Sequence, residues 1–182
     1  MKKMCSWVVN IVSIALIVIC ALLLGCSKSE TPASSANGYY AKVEWIHDGD
    51  TVSVIDSQNV KHKLRLYAID APELAQSSGK ESMKNLVRLL PKQKTVRVEV
   101  ENKDRYGREV ATVYLNDKNI NRQQIAEGWA WHYKQYDKKF YNDYDKLEKS
   151  AKDQRLGLWH YPNAKEPWEY RKSNREKTKK SK

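Results

Sequence analysis

The sequence predicts an α+β domain: a small closed barrel of five short β-strands with three helices added around it. Two observations carry that expectation. Apolar residues alternate with polar ones in five short stretches bounded by turn residues, which is the two-residue period of half-buried strands. Three other stretches place apolar residues at helical spacing, and one of them is inserted between the third and fourth strands. Such an arrangement suits an OB-type barrel, a fold that often binds oligonucleotides, although fold alone does not fix function.

The strands come first. Residues 40–46 alternate, and His47-Asp48-Gly49-Asp50 is a turn whose Asp-Gly pair is a strong hairpin signal. Residues 51–55 make the second strand, 56–59 a polar turn and 61–69 the third strand, giving an antiparallel meander. The first helix has Ser78 and Glu81 at capping-box spacing, an apolar face of Met83, Leu86, Val87 and Leu90, and Pro91 as its stop. Residues 94–101 form the fourth strand, with Val96, Val98 and Val100 inward, and residues 109–115 the fifth. Asn121 is expected to cap the second helix, with Gln124 at its third position and Gly128 at its end. The last helix is expected from near Asp137 to about Arg155, with Phe140, Tyr144, Leu147 and Ala151 on one face and Gly157 closing it. Beyond it, Trp159 and Trp168 belong to a tail packed over the body, and residues 171–182 are basic, without apolar period, and expected to be disordered.

The N-terminus is organised differently. Lys2 and Lys3 precede an almost wholly apolar run over residues 8–24, which ends in Leu23-Leu24-Gly25-Cys26 and gives way to a polar stretch. This is the layout of a secretory signal, and its ending resembles the lipobox of bacterial lipoproteins. The reading is a lipoprotein signal peptide over 1–25, a flexible tether over 26–38 beginning at a lipidated Cys26, a folded domain over 39–170 and a basic tail over 171–182. An uncleaved anchor or a simple cleaved signal would also suit the run. All three export the domain, and the lipoprotein reading places it in the cell envelope, anchored to a membrane on a periplasmic or extracellular face. The three cysteines, Cys5, Cys20 and Cys26, all lie in this segment, so the folded domain has no disulfide and no cysteine metal site. The formal net charge is +11, and only Lys2 and Lys3 of the charged residues fall within the first 26. That surplus favours a polyanionic partner such as nucleic acid or anionic lipid.

Three segments carry chemistry. Asp48-Gly49-Asp50-Thr51 is an acidic turn. Residues 65–73 run from a strand into a turn that Pro72 stiffens, presenting Arg65, Asp70 and Glu73 on one short piece of chain. Asp104-Arg105-Tyr106-Gly107-Arg108 is a charged loop. Each alone reads as an ordinary turn or solvated face. Together they supply two carboxylates, Asp50 and Asp70, for one hard cation such as Ca²⁺ or Mg²⁺, helped by a backbone carbonyl and water. Glu73 can take a proton from water, and Arg65 and Arg108 can fork onto phosphate oxygens. That is a set for metal-assisted phosphodiester hydrolysis. The histidines, His47, His62, His132 and His160, show no metal-ligand spacing and read as structural or surface residues.

These three segments, in this order, resemble the signature segments of the staphylococcal nuclease (thermonuclease) family. The likeness extends over residues 43–159, including Gly128-Trp129-Ala130 and Gly157-Leu158-Trp159. The resemblance implies a five-stranded OB barrel with three helices, and Ca²⁺-dependent cleavage of single-stranded or locally melted DNA and RNA at the P–O5′ bond to leave 3′-phosphates. It assigns one Ca²⁺ to Asp50, Asp70 and the carbonyl of Ala71. It makes Glu73 the general base, and Arg65 and Arg108 the holders of the scissile phosphate. By position, Arg105 and Tyr106 would contact a neighbouring phosphate and Tyr136 would stack on a base. Such a protein is expected to act as a monomer held at the membrane by its lipid. The best-known members carry Thr where this chain has Ala71, and a longer, lysine-rich loop where it has the short, uncharged residues 74–79. The competing expectation is a non-catalytic nucleic-acid-binding OB module on the envelope. The filled set Asp50, Arg65, Asp70, Glu73 and Arg108 speaks against it.

Overall fold

The computed structural model describes residues 38–180. The proposed signal peptide, Cys26 and all but the last residue of the tether lie outside them.

Five strands close the barrel: β1 (Gly38–Ile46), β2 (Thr51–Asp56), β3 (Lys61–Leu66), β5 (Thr95–Lys103) and β6 (Glu109–Leu115), with the two-residue β4 (Ile69–Asp70) following β3 in the chain. β1, β2 and β3 form the antiparallel meander, and β1 also pairs with β5 and β5 with β6. Closure comes from a parallel contact between β3 and β6, with Leu64 opposite Glu109 and Leu66 opposite Ala111. The register shifts between Val43 and Trp45 on β1 and between Val100 and Asn102 on β5. Bulges of this kind add the bend that closing a small sheet requires. Val43, Val52, Val54, Leu64, Leu66, Val96, Val98 and Val113 are all essentially buried and fill the interior. The alternation that predicted the strands is therefore the alternation that fills the barrel.

Outside the barrel lie α1 (Gly79–Leu89), α2 (Ile120–Ala126), α3 (Tyr141–Asp153) and α4 (Pro167–Lys180). The short β7 (Lys118–Asn119) pairs with β6, and β8 (Trp131–His132) pairs with β4 as a separate two-stranded ribbon. Short 3₁₀ turns span Lys134–Tyr136 and Gly157–His160.

Several expectations are corrected. The third strand ends at Leu66 rather than at residue 69, because Ala68 takes a left-handed turn (φ 59°). Tyr67, Ala68 and Ile69 are all buried. Ser78 has φ 64° and makes no side-chain cap, so there is no capping box on α1. The inward face of α1 runs through Gly79, Ser82, Asn85 and Leu86, leaving Val87 exposed. The cap of α2 is Asn119, whose side chain accepts from the Arg122 N–H, while Asn121 sits buried inside the helix. α3 begins at Tyr141, and the left-handed residue after it is Arg155. Asp137 lies ahead of α3, where it accepts from the Lys139 and Phe140 N–H groups and pairs with buried His132 at 2.8 Å.

The largest correction concerns the C-terminus. Residues 171–180 are helical, as part of α4, rather than disordered. Composition gave no sign of this because the helix is held by its first turn. Pro167 is buried there, and Trp168 stacks on Tyr133 with ring centroids 5.3 Å apart and an interplanar angle of 11°. Trp131 meets both Trp159 and Trp168 in T-shaped contacts, so the tail does cover the body.

Candidate active site

The hairpin turn between β1 and β2 is where the site begins. Asp48 accepts from the Asp50 N–H at 2.9 Å, which folds the turn on itself. A Cβ on Gly49 would lie 2.0 Å from the Ser82 hydroxyl and 2.6 Å from Ala71 Cβ. Only glycine lets α1, the acidic turn and the segment after β4 meet at this point. Gln124, buried in α2, donates to the Gly49 carbonyl at 2.8 Å and fixes the turn from below.

The second segment arrives through the β3–β4 turn. Asp70 pairs with Trp131 across the β4–β8 ribbon, so its backbone is held. The chain then passes Ala71 and Pro72 to Glu73, whose carbonyl would be 1.9 Å from a Cβ on Gly79. A glycine at the start of α1 is what lets the helix close against this turn.

These elements converge on charge. Asp50 and Asp70 are both almost completely buried. Arg65 bridges them, with Nη1 3.0 Å from Asp50 Oδ2 and Nη2 2.7 Å from Asp70 Oδ1. Asp50 Oδ2 also accepts from the Ala71 N–H at 2.6 Å, and Asp50 Oδ1 from the Thr51 hydroxyl at 3.1 Å. Burial pushes the Asp50 carboxyl well above its ordinary pKa. The Arg65 charge opposes that rise, while Asp48 and Asp70 add to it. Glu73, by contrast, has a side chain about 40% exposed, at the edge of the carboxylate cluster. A further cation completes the cluster: Arg171 of α4 bonds both oxygens of Asp70, at 3.2 and 2.7 Å, and Glu73 Oε1 at 2.9 Å.

The structure thus brings together Asp50, Arg65, Asp70, Ala71 and Glu73. Arg108 lies immediately before β6, which runs beside β3 in parallel. Its hydrogen bonds go to Asp104, including one of 2.7 Å from Nε. That pairing, with the Arg108 and Tyr106 N–H groups, outweighs the effect of burial and holds the Asp104 carboxyl below its ordinary range. Tyr106 and Tyr136 are largely exposed, and Arg105 donates to the Tyr106 hydroxyl at 2.7 Å. These three stand on the surface and not in the carboxylate cluster.

Among the described residues no three His, Cys, Asp or Glu side chains gather as a metal centre. The donor set still fits a hard cation. Two buried carboxylates lie together, and each pairs with guanidinium charge, so the place they share is one that positive charge stabilises.

Comparison with known proteins agrees with this geometry. The family model described as staphylococcal nuclease homologue matches residues 63–161. An uncharacterized endonuclease of Haemophilus influenzae is 36% identical over 163 residues, covering 88% of this chain and 84% of that protein. The chain belongs to the staphylococcal nuclease family. A micrococcal nuclease of Shigella flexneri is 37% identical over 150 residues, 77% of this chain and 84% of that one. A probable staphylococcal-like nuclease, CAN4, of Oryza sativa is 42% identical over 115 residues, 63% of this chain, and the match spans only 23% of that longer protein.

For a member of this nuclease family, the residues that sequence reasoning missed are supports and one cation. Asn121 donates to the carbonyls of Tyr67 and Ala111 and accepts from the Val113 N–H, tying the end of β3 to β6. Gln124 accepts from Asn85 while donating to Gly49 and Ser82. Their signal in the sequence is polar residues on the inward side of a short helix beside Ile120 and Ile125, a pattern that also suits a helix cap. Arg171 lies beyond the span that the family model matches, and nothing local to it marked it out.

Proposed function

We propose that the protein is a Ca²⁺-dependent phosphodiesterase that hydrolyses DNA and RNA at the P–O5′ bond and leaves 3′-phosphate ends. The observation that carries this reading is the convergence of buried Asp50 and Asp70 with Arg65 and half-exposed Glu73. Asp50, Asp70 and the Ala71 carbonyl would hold the ion. When bound, Ca²⁺ would supply positive charge that polarises the phosphate.

The remaining work falls to the chain's own side chains. Arg65, held on β3, exchanges carboxylate oxygens for phosphate oxygens and stabilises the negative charge that grows on them as water adds to phosphorus. Glu73 reaches the rim, where water enters, and takes the proton of the attacking water. The bond to O5′ breaks, the departing oxygen takes a proton from solvent, and the phosphate stays on the 3′ side. Arg108, in the loop just before β6, exchanges Asp104 for a phosphate oxygen. Arg105 and Tyr106 meet an adjacent nucleotide, and Tyr136 offers an exposed ring for base stacking.

The test is cleavage of a single-stranded oligonucleotide by the purified protein with Ca²⁺ or with a chelator, beside Glu73→Gln. The expected result is 3′-phosphate products with Ca²⁺ only, lost in the variant. Binding without cleavage under every metal condition would instead mark a non-catalytic module. We propose further that the enzyme is an exported monomer anchored through lipid on Cys26. Palmitate labelling that is lost in Cys26→Ser, with release of the protein from membranes, checks this; equal labelling of the variant would refute it.

A further inference from the structure

The cation that closes the carboxylate cluster comes from an element outside the barrel. α4 is fixed at its first turn from two sides. Trp168 stacks on Tyr133, the Tyr170 hydroxyl donates to the Ala75 carbonyl at 3.3 Å, and Gln76 donates to the Lys165 carbonyl at 2.5 Å. Arg171 is three residues beyond Trp168, hence on the same side of the helix. Its guanidinium is therefore set in place at the pocket by packing. It holds both Asp70 oxygens and one Glu73 oxygen, with about a third of its side chain still exposed.

Those partners cannot all be kept when the enzyme works. An ion held by Asp70 needs an oxygen that Arg171 now occupies, and Glu73 must be open to water. Released from them, Arg171 remains tethered one helical turn from the packed Trp168, facing the place where a phosphate arrives. A planar fork that fits two carboxylate oxygens fits two phosphate oxygens equally well. The rest of the helix continues the same charge. Lys172, Arg175, Lys177, Lys179 and Lys180 are exposed, with Glu176 the acidic residue among them. The loop at residues 74–78, between Glu73 and α1, carries no charge, so on that side of the pocket the positive charge is supplied by α4.

We propose that Arg171 is a substrate-binding residue, a guanidinium that rests on Asp70 and Glu73 in the free protein and grips a phosphate of the bound strand, with the exposed basic face of α4 tracking the strand away from the site. This rests on the nuclease reading above.

The experiment uses the full chain, Arg171→Ala, Arg171→Lys and the surface double variant Lys172→Ala/Arg175→Ala, all checked for unaltered thermal unfolding. The probe is a fluorescent single-stranded oligonucleotide with methylene in place of each bridging 5′ oxygen, which keeps the charge and cannot be cut at that bond. Binding is read by anisotropy at saturating Ca²⁺ over a range of salt. Arg171→Ala should bind about tenfold more weakly, with the slope of log K against log salt shallower by about 0.7, the share of one single-strand phosphate. Arg171→Lys should recover the slope but not the full affinity, because it keeps the charge and loses the fork. The double variant should also lower the slope. Calorimetry without nucleic acid should show tighter Ca²⁺ binding in Arg171→Ala.

Unchanged affinity and slope in Arg171→Ala would overturn the proposal. So would tighter oligonucleotide binding, which would make the contact a latch only. Unchanged Ca²⁺ affinity would remove the resting contact. Cleavage of an ordinary oligonucleotide runs in parallel. A parent protein that binds but never cuts defeats the nuclease reading, while the anisotropy still decides the role of Arg171.

Discussion

Glu73 and Arg65 sit three and five residues from Asp70 in the chain, yet their environments differ sharply. Arg65 is mostly enclosed between two buried carboxylates, and Glu73 stands at the rim. Arg65→Ala removes the cation that Asp50 and Asp70 share and the donor expected to meet the growing phosphate charge. Loss of one such donor costs roughly a hundredfold to a thousandfold in rate, and steady-state kinetics on a folded variant checks it; a near-normal rate would remove Arg65 from the mechanism. Gly49→Ala tests the scaffold instead. Its Cβ would overlap the Ser82 hydroxyl and Ala71 Cβ, and overpacking of this kind costs about 1–3 kcal/mol. Thermal unfolding should show that loss, and the Ca²⁺ affinity should fall with it, because the same turn carries Asp50. At this scale the site was legible in the sequence, since Arg65, Asp70, Ala71 and Glu73 share one stretch and Asp50 shares a recognisable turn. Arg171 was not. It lies 98 residues from Glu73, in a tail whose composition is that of a solvated charged segment, and what places it is the stacking of Trp168.

The element that most needed the structure is α2. Its sequence offers a cap and a third-position glutamine, which place Asn121 at the helix end. In the fold Asn119 takes the capping role, and Asn121 turns inward to three backbone groups of β3 and β6. A polar residue on a helix is read as exposed or capping unless the position of its neighbours is known, and here one neighbour, the Tyr67 carbonyl, lies 54 residues away while the others belong to β6 folded back beside the helix. The consequence is measurable. Asn121→Ala leaves buried carbonyls of Tyr67 and Ala111 and the Val113 N–H without this partner, a change that costs about 1–3 kcal/mol for each group left unsatisfied. Urea unfolding should register the loss as a lower midpoint at unchanged slope. An unshifted midpoint would mean that water satisfies these groups and that α2 is not a buttress of the closure. The strands, by contrast, were readable at their own scale, because the period of two that fills the barrel with Val52, Val54, Leu64, Val96, Val98 and Val113 is a purely local signal.

At the scale of the whole molecule, the barrel stands or falls on the parallel contact between β3 and β6, and polar groups from four strands meet where that contact begins. His62 of β3 lies 3.1 Å from Asp56 at the end of β2 and 3.1 Å from Glu109 at the start of β6. Its ring packs 4.6 Å from Tyr39 of β1, whose hydroxyl donates to Glu109 at 2.6 Å. Burial works to lower the His62 pKa, but its hydrogen bonds to Asp56 and Glu109, with their charges, outweigh burial and raise it above its usual value. A histidine held protonated in the folded state favours folding fully at pH below its unfolded value, about 6.5. That contribution is lost as pH rises through the higher folded value. His62→Gln should therefore lower the unfolding temperature more at pH 5.5 than at pH 9. Equal losses at the two pH values would show that His62 closes the barrel by packing and neutral hydrogen bonds alone. The site itself should be insensitive to this change in one respect: if closure at this end of β3 is intact in the variant at 25 °C, Arg65 keeps its register opposite Val110, and Ca²⁺ binding should follow the parent protein up to the temperature at which the barrel opens.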